Sequence, residues 1–294
     1  MRSRWLLNLF LLLLVAGIAL FLYLRPEKVE VGPTQYPVST ASPADVSRIS
    51  IEFPAKAPVV LEKRDGNWIM TKPYQVRASK PLAGQILSIL HATSANKFPT
   101  DDLARFGLDH PVLRLKLDDV EIAFGTINPV SNEQYIVSQN AVYLVATSFS
   151  EVASTQVLEM FDKSPLAPQE KIAGFDFSRL EQWEKTGLRV ERGEDGLWQV
   201  SAKPAKPDQK QLNQWFDDYW ANLEATSVEF YKPDRHETYP SFEVKLKDGK
   251  RVHFDKLQES PELLLARPDE GLLYHFPQDA GFVILNPPVG FKPE

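Results

Sequence analysis

The sequence predicts an α+β protein in which an N-terminal transmembrane helix precedes two tandem copies of an antiparallel sheet, each with one main helix packed on it. Three observations predict this fold class: an apolar run of membrane-spanning length, short motifs that recur at nearly constant spacing, and short alternating runs separated by turns. The 294-residue chain has 43% hydrophobic and 24% charged residues, which is ordinary for a folded protein. It is long enough for one large domain or two small ones.

The apolar run is "WLLNLFLLLLVAGIALFLYL", residues 5–24, in which only Asn8 is strongly polar. A helix of about 20 residues is about 30 Å long, which matches the hydrocarbon thickness of a bilayer. Trp5 and Tyr23 stand at its ends, where aromatic side chains favour the headgroup layer. The run is longer than the apolar region of a cleaved signal peptide, so we expect a retained transmembrane anchor.

The anchor sets the expected location of the rest of the chain. An N-terminal segment of this kind acts as a signal anchor, so we expect a cytoplasmic tip at residues 1–4 and an exported body. The predicted location is a bacterial inner membrane crossed once, with the body in the periplasm. The membrane is then the first predicted partner, contacted through residues 5–24.

Two segments are predicted to lie outside the folded copies. Residues 25–44 contain four prolines and few large apolar side chains, which is typical of an extended tether. Residues 287–294 begin with Pro287 and Pro288, which stop a strand, so we expect a loose tail there.

Motif pairs indicate an internal duplication. "DVSRI" at residues 45–49 recurs as "DFSRL" at 176–180, and "PVLRLKLDD" from Pro111 recurs as "PSFEVKLKD" from Pro240. Several collinear matches at nearly constant spacing are hard to produce by chance. We therefore expect a first repeat over residues 45–165, a linker at 166–171 and a second repeat over 172–286.

The hairpin motif of each copy is a turn followed by a tryptophan, "RDGNW" and "EDGLW". Asp-Gly supplies the positive φ that a tight hairpin turn needs, and the tryptophan begins the return strand. An aromatic ring beside such a turn belongs to the core far more often than to a ligand platform. The motif residues are Asp65, Gly66 and Trp68 in the first copy, and Asp195, Gly196 and Trp198 in the second.

One helix per copy follows the hairpin. Leu82, Ile86, Ile89 and Leu90 form an apolar stripe in the first copy, and Asp208 is placed as the N-cap of a wider aromatic stripe in the second. The alternating runs that come next, such as "LRLKL", "VYLV" and "FEVKL", predict an antiparallel meander. Ser178 and Glu181 resemble a capping box, but the repeat aligns "RLEQWEKTG" with the strand "RISIEF", so we expect a strand there.

The assembled pattern resembles the bacterial family called domain of unknown function 4340, whose members show a strand, a G-x-W return strand, a helix, a GLD-x-P turn and a meander. The most specific part is "FGLDHP", whose motif residues are Gly107, Leu108, Asp109 and Pro111. The second copy departs from it with "HETYP". The resemblance covers residues 45–162 and continues more weakly to 285.

The resemblance implies a membrane-anchored extracytoplasmic protein, often encoded near ABC-type export or gliding-motility components. It implies no catalytic residues. The residues themselves give the turn a role in building the fold, because Gly107 suits a left-handed backbone conformation and Asp109 can accept a hydrogen bond from the local backbone.

Composition and motif searches exclude several chemistries. The absence of cysteine removes disulfides, thiolate metal sites and cysteine nucleophiles. The net charge of −6 without basic clusters argues against nucleic acid as a partner. The histidines show no zinc-binding spacing, and no serine-hydrolase elbow or nucleotide-binding glycine loop is present. We therefore predict no catalytic, cofactor-binding or metal-binding residues, and the sequence does not identify a small-molecule ligand.

Two functions remain. The first is a scaffold or interaction subunit of an envelope assembly, accessory to an ABC-type export or motility system, which holds a protein partner through its sheets, its edges or the junction of the two copies. The second is a periplasmic glycan-binding or glycan-cleaving module, which requires a cleft with exposed tryptophan faces and two carboxylates about 5 to 9.5 Å apart. The sequence favours a role without catalysis and leaves catalysis open.

Overall fold

The computed structural model describes residues 2–24, 34–202, 205–234 and 236–290. After the N-terminal helix, the elements form two units. The first unit covers residues 36–161 and the second covers residues 172–285; residues 162–171 join them and are called the connector below. The fold is mostly β, with antiparallel sheets and a few helices.

The elements ahead of the connector, in chain order, are α1 (Arg2–Leu24), β1 (Tyr36–Pro37), β2 (Arg48–Glu52), β3 (Val59–Arg64), β4 (Asn67–Lys72), β5 (Val76–Arg77), α2 (Lys80–Leu87), β6 (Thr93–Ser94), β7 (Lys97–Phe98), β8 (Leu113–Leu117), β9 (Val120–Ile127), β10 (Glu133–Ser138), β11 (Ala141–Ala146) and α3 (Ser148–Ala153).

The elements after the connector are β12 (Ile172–Arg179), β13 (Arg189–Arg192), β14 (Trp198–Val200), α4 (Gln209–Tyr219), β15 (Ser227–Phe230), β16 (Ser241–Leu246), β17 (Arg251–Gln258), β18 (Glu262–Arg267), β19 (Leu272–Gln278) and α5 (Ala280–Ile284). Short 3₁₀ helices lie at Ser88–His91, Ala104–Phe106, Val157–Met160 and Glu181–Trp183.

Strand order is the same in the two main sheets. The first sheet has the order β5-β4-β3-β2-β8-β9-β10-β11-β7, and the second has the order β14-β13-β12-β16-β17-β18-β19-β15. If β2 is matched with β12, each later strand of the second sheet has its counterpart at the same place in the first, and β5 is an addition at one edge. The adjacent pairs are antiparallel, as the predicted meander requires.

Alternation along the strands places one apolar face of each sheet in a shared core. Ile49 and Phe124 of the first unit and Phe175 and Phe254 of the second belong to one continuous buried cluster. α2 contributes Ala83, Ile86 and Leu87 to this core. α4 rests on its own sheet through Trp215, whose ring meets that of Phe175 edge to face at 5.2 Å.

The N-terminal helix α1 carries its apolar side chains on the outside. Large apolar groups such as Phe10, Leu12, Leu13 and Val15 are more than half exposed. In the parts of the chain that the structure describes, no helix is both long enough and apolar enough to cross a bilayer. The transmembrane anchor stays a sequence-based prediction.

One strand lies earlier in the chain than the sequence match indicates. β12 ends at Arg179, and residues 181–183 form a 3₁₀ helix, so the predicted strand over "RLEQWEKTG" is wrong. The core explains the difference: Phe175 and Phe177 already fill the inner face of β12, and the chain then turns inward to bury Trp183, whose indole N–H donates to the carbonyl oxygen of Leu285 at 2.9 Å.

Parts of the predicted tether and tail are packed against the two units. Tyr36–Pro37 pairs with Thr93–Ser94, and Val38 is fully buried, so residues 36–38 belong to the folded body. Val289 of the predicted tail is also fully buried. Residues 25–33 and 291–294 lie outside the described residues. The prolines that suggested loose segments are compatible with short edge pairings and with a packed turn.

Candidate functional site

A groove lies where the first unit meets the connector. It has a volume of about 690 Å³ and is called the seam groove below. Its lining residues come from the β3–β4 hairpin, β5, the start of α2, the connector and the loop after α4: Arg64, Asp65, Asn67, Trp68, Ile69, Arg77, Ala78, Lys80, Pro81, Asp162, Ser164, Pro168, Gln169 and Glu224. Smaller neighbouring hollows share Arg77 or Glu224 with it.

The seam groove is lined by three exposed charged groups that belong to different elements. Asp65 stands at the hairpin turn, Lys80 is the first residue of α2, and Glu224 follows α4; all three are exposed. Within the described residues, none of them lies at ion-pair distance from an opposite charge. Of the other lining charges, Arg77 pairs with Asp162, and Arg64 pairs with Glu62. The three unpaired groups are therefore available to charges brought by a ligand.

One wall of the groove is held by the guanidinium of Arg77. It donates to Glu270 at 3.0 and 3.1 Å, to the hydroxyl of Tyr274 at 3.0 Å, to the carbonyl of Ser164 at 2.7 Å, and to Asp162. Burial lowers the pKa of Arg77, but the hydrogen bond and charge of Glu270 outweigh it, so the pKa lies above the usual range. Arg77 is a permanent cation that ties the first unit to the second.

Arg267 holds the connector from the other side. Its guanidinium donates to Glu170 at 2.7 and 2.8 Å and to the carbonyl oxygen of Pro165 at 2.8 Å, and its side chain is only 4% exposed. Asp269 accepts from the same group. Burial lowers the pKa of Arg267, but the hydrogen bonds of Glu170 and Asp269 outweigh it and raise the pKa above its usual range. The predicted linker at 166–171 is thus fastened to the second unit.

Two sheet edges are covered at single residues. The side-chain amide of Gln209 accepts from the backbone N–H of Trp198 at 2.7 Å and donates to the carbonyl of Trp198 at 2.8 Å, which occupies the free side of β14. Next to β5, Ala78 forms a bridge with Phe161. Satisfied backbone groups do not offer a template to a partner strand, so the junction of the two units is a better binding surface than these edges.

The structure brings one hairpin motif to the seam groove. Asp65 and Gly66 have φ values of 49° and 80° at the β3–β4 turn, and Asp65 and Trp68 line the groove. Trp68 is 5% exposed, so its ring belongs mainly to the core.

The second hairpin motif lies outside this groove. Gly196 has a φ of 78°, and the carboxylate of Asp195 accepts from the backbone N–H of Leu197 at 3.0 Å. Trp198 is 2% exposed, and the guanidinium of Arg192 lies 5.0 Å from its ring centre. These contacts give the second motif a role in the fold.

The GLD-x-P turn packs on the outer face of the first sheet. Gly107 has a φ of 67°, and the carboxylate of Asp109 accepts from the backbone N–H of His110 at 3.0 Å. Leu108 and Pro111 are buried. A Cβ on the facing Gly125 would overlap the carbonyl oxygen of Phe106, so the turn lies directly against the strand. None of these residues reaches the seam groove.

The placement of acidic, histidine and tryptophan side chains bears on metal and glycan binding. Among the residues that the structure describes, no group of three or more His, Asp or Glu side chains is placed to hold a metal ion. The five tryptophans of the two units are each 5% exposed or less. The exposed tryptophan faces that a glycan cleft would use are therefore not found in these units.

Sequence reasoning missed the groups that shape the groove, namely Arg77, Lys80, Asp162, Glu224 and Glu270. Arg77 and Glu270 are separated by 193 residues, and neither belongs to a repeated motif. Local periodicity carries no signal for an ion pair of this separation.

Comparison with known proteins gives one match. The model of the family described as "Domain of unknown function (DUF4340)" matches residues 68–241. No curated protein and no solved structure matches the chain. The matched region begins at β4, includes the whole connector and ends at the start of β16, so the junction between the units lies inside it.

Proposed function

We propose that this chain, which belongs to the family described as domain of unknown function (DUF4340), is a membrane-anchored interaction subunit that holds a protein partner in the seam groove. The observation that carries the proposal is the groove itself, with the unpaired charges of Asp65, Lys80 and Glu224 at its rim. Charges of both signs on a preformed surface select a partner of complementary pattern and speed its association.

We also propose that the two units are tandem copies of one ancestral module. The common strand order supports a duplication followed by divergence. Joining two copies creates a junction that neither copy has alone, and the groove uses residues from the first copy, the connector and the loop after α4. Function at the junction would explain why both copies are retained in one chain.

The location is also proposed: residues 5–24 attach the body to a bacterial inner membrane, and the body lies in the periplasm as part of an envelope assembly, such as an ABC-type export or motility system. The exposed apolar side chains of α1 support an apolar environment around that helix, because a continuous apolar surface in water is unfavourable.

Location can be tested by labelling, because the chain has no cysteine of its own. Single-cysteine variants Ser3→Cys and Lys250→Cys are treated with a membrane-impermeant maleimide in cells whose outer membrane has been permeabilised. We expect Lys250→Cys to react and Ser3→Cys to react only after the inner membrane is broken. Equal protection of both positions in intact inner membranes would contradict the periplasmic location.

Partner binding is tested by reversing the rim charges. The double variant Asp65→Lys with Glu224→Lys is expected to reduce recovery of the co-purified protein from mild detergent by about tenfold, since unfavourable charges weaken association. The control is Asp195→Lys, the same substitution in the second hairpin motif, which lies outside the groove. Recovery of the chain alone from the wild type, or equal recovery from all variants, would contradict the proposal.

A further inference from the structure

The side chain of Arg77 connects parts of the protein that are far apart in the chain. It leaves β5 of the first unit and contacts Glu270 and Tyr274 of the second unit, and it also contacts Asp162 and the carbonyl oxygens of Ser164 and Leu166 in the connector. Its side chain is 13% exposed. One buried cation thus joins both units and the connector.

The network continues into the second unit without a gap. Glu270 accepts a hydrogen bond from Arg77 and lies 3.5 Å from the guanidinium of Arg267. Arg267 in turn forms an ion pair with Glu170 of the connector. The hydroxyl of Tyr274 donates to Glu270 at 2.9 Å while accepting from Arg77. Burial raises the pKa of this hydroxyl above its usual range, so it stays protonated and able to donate.

A junction of this kind holds one geometry. Apolar burial is not directional, whereas a planar guanidinium with several defined acceptors loses hydrogen bonds when its partners move. Removing one member of a buried pair leaves an uncompensated charge, which is strongly unfavourable. The relative position of the units is therefore sensitive to Arg77.

Arg77 also lines the groove. It contributes to the seam groove itself and to the neighbouring hollow that contains Asp269 and Glu270. The same groove is lined by Asp65 of the first hairpin and by Glu224 of the second unit.

We propose that Arg77 is a positioning residue that fixes the angle between the two units and thereby gives the seam groove its shape. Recognition of this shape by a partner rests on the proposed function, whereas the fixed angle between the units does not. Arg77 acts through Glu270 and Asp162 and need not touch the partner.

The test measures the two consequences separately in the full chain. Spin labels on cysteines at Glu121 of the first unit and Lys250 of the second report the distance between the units by pulsed electron paramagnetic resonance. Three variants are compared. Arg77→Met keeps much of the side-chain volume without the charge, and Arg77→Lys keeps the charge without the planar guanidinium. Glu270→Gln removes the charge of the acceptor. The matched control is Arg48→Met, which removes an exposed cation paired with Glu62 in the same unit.

We expect a narrow distance distribution for the wild type and for Arg48→Met, and a broad one for Arg77→Met with circular dichroism unchanged. Arg77→Lys should restore part of the narrow population, and Glu270→Gln should broaden it less than Arg77→Met. Co-purification of the partner should fall about tenfold with Arg77→Met and recover partly with Arg77→Lys.

A narrow, unshifted distribution in both Arg77→Met and Glu270→Gln would overturn the inference. If Arg77→Met does not fold, Glu270→Gln and Arg77→Lys decide the question by the same measurement. If the distribution broadens but the partner is recovered at the wild-type level, the fixed angle stands and the proposed function at the groove fails.

Discussion

The two units share a strand order but cover the outer faces of their sheets differently. In the first unit, Phe106 and Leu108 of the GLD-x-P segment are buried against Ala123 and Val142. In the second unit, the corresponding apolar cluster is Ala266 and Leu273, covered by Tyr231. The inner faces of both sheets belong to a single core. The two sheets share one core on their inner faces, and their outer faces are covered by different segments.

A single position shows how the outer faces differ. Gly125 of β9 leaves room for the carbonyl oxygen of Phe106, and its counterpart in β17 is Asp255, which follows Phe254 as Gly125 follows Phe124. Asp255 instead accepts from Tyr231 and contacts His253 at 2.8 Å. The glycine permits the close turn of the first unit, and the carboxylate gives the second unit a polar cluster.

The largest effect is expected from Gly125→Val. The added side chain would overlap the backbone of Phe106 and displace the GLD-x-P turn, which should lower the free energy of unfolding by about 3 kcal/mol. The measurement is urea unfolding of the full chain followed by tryptophan fluorescence. The matched control is Asp255→Ala, which removes hydrogen bonds without overlap and should cost about 1 kcal/mol. Equal costs would show that the two outer faces are equivalent.

The hairpin tryptophans allow a second comparison. Trp198 donates from its indole N–H to the side chain of Asn213 at 3.0 Å, whereas no such bond from Trp68 is seen among the described residues. Both substitutions to Phe lose ring contacts, but only Trp198→Phe also loses a hydrogen bond, because the Asn213 oxygen then keeps only the donor of Arg192. We expect Trp198→Phe to cost about 1 kcal/mol more than Trp68→Phe, measured by urea unfolding followed by circular dichroism. The reverse order would contradict this difference.

The N-cap hydrogen bonds of α2 and α4 should stabilise the protein by similar amounts. The carboxylate of Asp208 accepts from the backbone N–H of Lys210 at 2.9 Å at the start of α4, and the hydroxyl of Ser79 accepts from the backbone N–H of Leu82 at 3.3 Å at the start of α2. Asp208→Ala and Ser79→Ala should each lower the free energy of unfolding by about 1 kcal/mol. If only one variant loses stability, water replaces the cap hydrogen bond at the start of the other helix.

The smallest effect concerns acid stability. Burial raises the pKa of Asp176, but hydrogen bonds from Ser178 and Arg189 outweigh it, so the pKa is lower in the folded protein than in the unfolded chain. Asp176 therefore stabilises the fold above the unfolded pKa, and this contribution is lost as the pH falls through the folded pKa. Asp176→Asn should flatten the dependence of stability on pH below about pH 4.

The first unit supplies the control for this pH effect. Hydrogen bonding to Arg64 lowers the pKa of Glu62, but that carboxylate is on the surface, where water screens the interaction. Glu62→Gln should change the acid limb of the stability profile less than Asp176→Asn. An identical dependence of stability on pH for the wild type and Asp176→Asn would show that Asp176 does not contribute to acid stability.

Local features of the fold can be predicted from the sequence because their causes are local. Asp208 is placed as an N-cap and caps α4, and the stripe containing Ile86 and Ile89 is buried. The alternating runs of the meander form antiparallel strands. Capping and amphipathic periodicity act within one or two turns or strands, so a single sequence contains the necessary information.

Register and the candidate site cannot be predicted in this way. "DFSRL" is identical to "DVSRI" at three of five positions, but Ile49 pairs with Leu117 inside the sheet, whereas Leu180 lies beyond the end of β12. Arg77 and Glu270 meet only because the whole fold brings them together. The recurring motifs help to locate elements, and they mislead where the second unit places its strand earlier and buries a different side chain.

The most direct test of the account compares the two hairpins as contact sites. A photoreactive amino acid is placed at Asp65 in one full-length chain and at Asp195 in another, both at native expression, and cross-linked products are identified after illumination. The account predicts one reproducible protein product at Asp65 and none at Asp195, since only the first hairpin lines the seam groove. The same product from both positions, or a product from Asp195 alone, would contradict it.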